Sequence, residues 1–149
     1  MLAAQQVIEA IKGLLVGATD AGDRVYTDRL WPLDEGKLPA WRVFPADEEI
    51  SPATIHWPQL RDHRLIAVLQ ASAKAVTGID AALQALRAQA CAAIFDTSEH
   101  ATLGLSGVQA FERGAQIEPF NRNDAQLAHL NLRLEITFRT FANAPEAFA

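Results

Sequence analysis

"LNLRLEITFRT", residues 130 to 140, alternates in character residue by residue. Leu130, Leu132, Leu134, Ile136 and Phe138 share one parity, while Asn131, Arg133, Glu135, Thr137 and Arg139 share the other. A period of two is the signature of a β-strand with one face in an apolar core and one face in water. The stretch is long for a strand and charged along its outer side. It therefore demands a sheet with one covered face, and it poses the question of what the charged face does.

The segments before it supply the cover. Residues 3 to 17 place Ala4, Val7, Ile8, Ile11, Leu14 and Leu15 at helical spacing, with Gln5, Gln6, Glu9 and Lys12 opposite. That is an amphipathic helix, stopped by Gly17 and "TDAGD". A second helix is predicted in "TGIDAALQALRAQACAAIF", with Ile79, Ala82, Leu83, Leu86, Ala90 and Ile94 on one face. Thr77 is its candidate N-cap, and Asp80 suits the positive end of the helix dipole.

Strands are predicted at about 24–30, 40–46, 62–73 and 107–118. The third carries apolar residues on both parities, as a central strand does. The alternation of the fourth slips near Gly114, where a bulge fits. "WPLDEGKLP" (31–39) is a loop by its breaker content. Pro45, Pro52 and Pro58 keep the chain up to residue 60 out of a central strand, so "SPATIHWPQL" reads as an irregular excursion or exposed arm. The tail 142–149 reads as loose. The sum is one α+β domain over 1–149, in the order α–β–β–β–α–β–β. It forms a two-layer sandwich with both helices on one face of a mainly antiparallel sheet.

Composition narrows function by exclusion. The chain has 149 residues, half of them hydrophobic, and a net charge of −5. That balance suits a globular domain and argues against a dedicated nucleic-acid binder, which would show a basic stripe. A single cysteine, Cys91, rules out an intrachain disulfide and a multi-cysteine zinc site; its apolar surroundings mark it as a core residue. The opening segment lacks a basic n-region and carries Glu9 and Lys12 within its apolar run. No apolar run reaches the roughly 18 residues of a membrane span. A soluble protein made in a cytoplasm is expected.

Catalytic motifs are sparse. His56, His63, His100 and His129 fall at no metal-ligand spacing. Asp62 adjoins His63, but neighbours on a strand point to opposite faces. "SEH" (98–100) lies in a polar loop without a nucleophile partner, and "GLSG" (104–107) misses the nucleophile-elbow pattern. Asp47, Glu48 and Glu49 read as a solvated acidic run that could also meet a basic partner. No catalytic, metal or cofactor residue is assigned.

The element order, the "LWP…LPAWRVFP" segment and above all "GAQIEPFNRNDAQLAHLNLRLEITFRT" resemble the tail terminator proteins of long-tailed bacteriophages, the minor tail protein U and tail-completion family. The resemblance spans about residues 3 to 141. It implies a small α+β subunit that assembles into a homohexameric ring. Such a ring caps the tail tube, stops its polymerisation and helps join tail to head. The implied location is the tail–head junction of the virion, assembled in the host cytoplasm. The implied partners are further copies of the chain, the tube protein and a head or neck connector, with DNA only passing through the lumen and no membrane. No enzymatic activity and no cofactor are implied.

On that footing Arg133, Glu135 and Arg139 are candidates for a subunit interface or lumen, or else a plain solvated face. Trp31 and Trp57, on proline-bounded loops, are candidate interface anchors or core plugs. Glu48 and Glu49, and Arg122 and Asp124 in the turn "EPFNRNDAQ", complete the candidate set, with "DTSEHATLGLSG" as a second contact loop. Rival readings are another head–tail connector or neck protein, or a cellular α+β ligand-binding module or small enzyme.

Overall fold

A computed structural model describes residues 1–27, 38–74, 78–95, 102–122 and 125–149, with the backbone alone for 119–122 and 125–126. Its elements are α1 (Ala3–Leu15), β1 (Val25–Tyr26), β2 (Ala40–Pro52), β3 (Leu60–Lys74), α2 (Ile79–Phe95), β4 (Gln109–Arg122), β5 (Ala125–Phe141) and β6 (Ala144–Phe148). The predicted two-layer α+β class and element order hold.

The helices form where the apolar spacing required. In α1 the buried residues are Ala3, Val7, Ile8, Ile11 and Leu15, one stripe of a 3.6-residue period. Its start is secured by the Gln5 side chain, whose Oε1 accepts from the Leu2 N–H at 3.2 Å. Its end comes two residues earlier than expected. The Val16 N–H still reaches Lys12 O, and Gly17 then turns the chain at φ +75°, a conformation that favours glycine. In α2 the stripe is Leu83, Leu86, Ala90 and Ile94, with Asp80 in the first turn. Thr77 lies outside the described residues.

The strands order as β1-β2-β3-β5-β4, with β6 also on β5. Every pairing is antiparallel except β1 with β2. Register decides the core. Val43, Leu69, Leu132 and Ala115 align across four strands, and so do Trp41, Ala71, Leu130 and Ile117. These rows share one face, and α2 packs on it over β3 and β5, while α1 lies over β2 and against α2. Leu130, Leu132, Leu134 and Ile136 are fully buried. Each such side chain contributes about 1.5–3 kcal/mol of apolar burial.

Three expectations change. β2 does not stop at residue 46 but runs to Pro52. Its prolines are tolerated because, among the described residues, β1 pairs only with Trp41 and Arg42 and β2 beyond them has no second neighbour, as at a sheet edge. A register shift between Pro45 and Asp47 bends it there. The excursion "SPATIHWPQL" is consequently the end of the β2–β3 hairpin, closed by a bond from Ala53 N–H to Leu60 O at 2.8 Å. Third, the tail is not loose. β6 pairs with β5, the Ala149 N–H donates to Arg139 O at 2.8 Å, and Phe148 packs edge-on against Phe138. The slip expected near Gly114 is present as a register shift between Glu112 and Gly114.

Leu134 sits at the centre of the covered face, between Ala67 and Glu112 in register. Leu134→Ala should lower unfolding free energy by about 2–5 kcal/mol. An unchanged denaturant midpoint would contradict this placement.

Candidate functional site

Alternation sends the charged parity of β5 to the face away from the helices. There the side chains meet partners from the neighbouring strands. Arg139 Nε donates to Asp62 Oδ1 at 2.7 Å, directly across the β3–β5 ladder. Glu135 is bracketed by Arg64 and by Arg113, the latter at 3.4 Å, and Arg64 also lies 3.8 Å from Glu49. The Asp62 hydrogen bond and charge raise the Arg139 pKa above its ordinary value. Exposed pairs of this kind are screened by solvent and add little to stability. Their effect here is on the surface, where carboxylates cancel most of the arginine charge. Arg133 is exposed and has no hydrogen-bond or ion-pair partner among the described residues.

Towards the other end of this face the groups are more buried and mostly uncharged, with Arg42 the exception. Gln70 donates to Asn131 Oδ1 at 3.0 Å and accepts from Arg42 Nε at 2.9 Å. Ser72 Oγ and His129 Nδ1 are 2.8 Å apart. Burial lowers the Arg42 pKa. Burial first, and then the Arg42 charge, lower the His129 pKa below the ordinary 6.5, with Glu118 opposing. A depressed histidine pKa means that the unfolded chain binds the proton more readily. Stability is therefore greatest above the unfolded value and falls as pH drops from about 6.5 towards the folded pKa. The slope from this group is at most about 1.4 kcal/mol per pH unit. Denaturant melts at pH 8 and pH 5 should show a smaller acid loss in His129→Asn than in the parent chain; equal losses would refute the assignment.

The acidic run is split by the strand. Glu49 faces the charged side, whereas Glu48 turns to the helix side and lies 2.7 Å from His63 Nδ1. His63 Nε2 in turn lies 2.7 Å from Thr140 Oγ1. Phe138 stacks flat on the imidazole, at 4.6 Å and 10°. A carboxylate, an imidazole and a hydroxyl in series have the contact order of a nucleophilic triad. Thr140 is only 1% exposed, however, so no substrate can meet its hydroxyl. The cluster instead fastens β2, β3 and β5 together beyond the end of the helix layer. Nothing in the sequence signals it, because Glu48, His63 and Thr140 meet only through strand register. Asp62 and His63 do face opposite ways.

The two described tryptophans divide between the proposed roles. Trp41 is fully buried and donates from Nε1 to Thr19 Oγ1 at 3.1 Å, a core plug. Trp57 is 75% exposed and Ile55 85% exposed, both on the turn that closes the β2–β3 hairpin. Trp31 and Asp124 lie outside the described residues, as do residues 96–101 of the polar loop. Arg122 ends β4, opposite Ala125. Cys91 is half-buried with Sγ 3.5 Å from Glu112 Oε2, and burial together with that carboxylate pushes its pKa up, away from reactivity. Among the described residues no group of three or more His, Cys, Asp or Glu could hold a metal ion, and no described helix is long and apolar enough to cross a membrane.

No protein-family model and no curated protein sequence matches this chain. Among solved structures, it is similar to a chain of a structure titled "Virion of native gene transfer agent (GTA) particle". The TM-score is 0.42 and the identity 17%, over 91% of this chain and 92% of that one.

Because Trp57 makes so little contact with its own fold, Trp57→Ala should shift unfolding free energy by less than about 0.5 kcal/mol. A larger loss in the monomer would return Trp57 to the core-plug reading.

Proposed function

We propose that this chain is a structural subunit of a phage-type virion that closes the tail tube as a ring, halts tube growth and presents a surface for head joining. The observation that carries this reading is the order of elements. A short amphipathic helix, an edge strand, a central strand leading into a second helix, and a long C-terminal β4–β5 hairpin repeat the pattern on which the resemblance to tail terminators rests. The charged face supports it in a second way. A lumen that DNA traverses must not hold phosphates, and arginines already paired with carboxylates release few counterions on DNA contact. Arg64, Arg113 and Arg139 are paired in this manner.

On this reading Arg133, Glu135 and Arg139 belong to the lumen or to a subunit interface. The segments at the two ends of β4, residues 102–107 before it and the end of the β4–β5 hairpin at 118–122 and 125–126, give the ring two different faces. One matches the tube and the other does not, so the next tube ring finds no template. Removing the chain should leave tube subunits able to fold and polymerise, while tails overgrow or fail to join heads. Electron micrographs of a deletion lysate check this. Normal-length tails on full heads would sink the proposal, and normal-length tails without heads would favour a neck connector.

A further inference from the structure

We draw no further inference here: the strongest candidate, the exposed apolar patch of Ile50, Ile55 and Trp57 at the end of the β2–β3 hairpin, carries nothing, because nothing in the structure shows what covers it.

Discussion

The pairing of β3 with β5 is the constraint on which the rest of the molecule depends. It runs unbroken from Leu60 opposite Phe141 to Lys74 opposite Leu127. Because side chains alternate, a slip of one residue would turn Leu130, Leu132, Leu134 and Ile136 into water and bring Arg133 and Glu135 under the helices. The cost of stranding apolar groups outside and charges inside is many kcal/mol, so this register admits no competitor. β2 and β4 then inherit their facing from it, each with one bulge that resets the register midway.

That single register also explains why the two faces differ in kind. The helix-side face is closed by α1 and α2 over its central rows. Where the strands outrun the helices it is closed by His63 stacked on Phe138, with Glu48 and Thr140 taking the two ring nitrogens. Polar groups can serve as core here because each has its partner, and no buried side-chain nitrogen or oxygen among the described residues is left without one. The opposite face has no helix over it among the described residues. It is tolerated in water because Asp62, Glu49 and Glu135 stand beside Arg139, Arg64 and Arg113.

Much of this was legible from local pattern. The parity of residues 130–140, the stripes of both helices and the bulge near Gly114 follow from periodicity alone, since each reports a burial that every turn or every second residue repeats. The misreadings share a physical cause too. Pro45 and Pro52 forbid a central strand but not an edge, and whether β2 lies at an edge depends on how far β1 extends. "ANAPEAF" has a single large apolar residue and reads as loose, yet it is held by backbone pairing and by one aromatic contact, Phe148 on Phe138. The candidate residues divide in the same way. Arg133, Glu135 and Arg139 were placed on the correct strand face by alternation. Glu48 reads with Glu49 as a solvated acid because nothing local shows how far β2 extends, and its bond to His63 depends on register between residues fifteen positions apart.

The hairpin formed by β2 and β3 joins these two themes. Its base shares β3 with the long β3–β5 ladder, while its end leaves Ile55 and Trp57 uncovered by any of the described residues. A floppy loop would lose conformational entropy on docking, at about 1–2 kcal/mol for each backbone residue fixed. An arm pinned by Ala53, Gln59 and Leu60 backbone bonds has already lost most of that freedom on folding. The Glu48–His63–Thr140 cluster lies at its root and holds β2 to β5 through β3. The charged groove lined by Glu49, Asp62, Arg64 and Arg139 is built from the same strands on the other face, so the β3–β5 register fixes its position relative to the hairpin end.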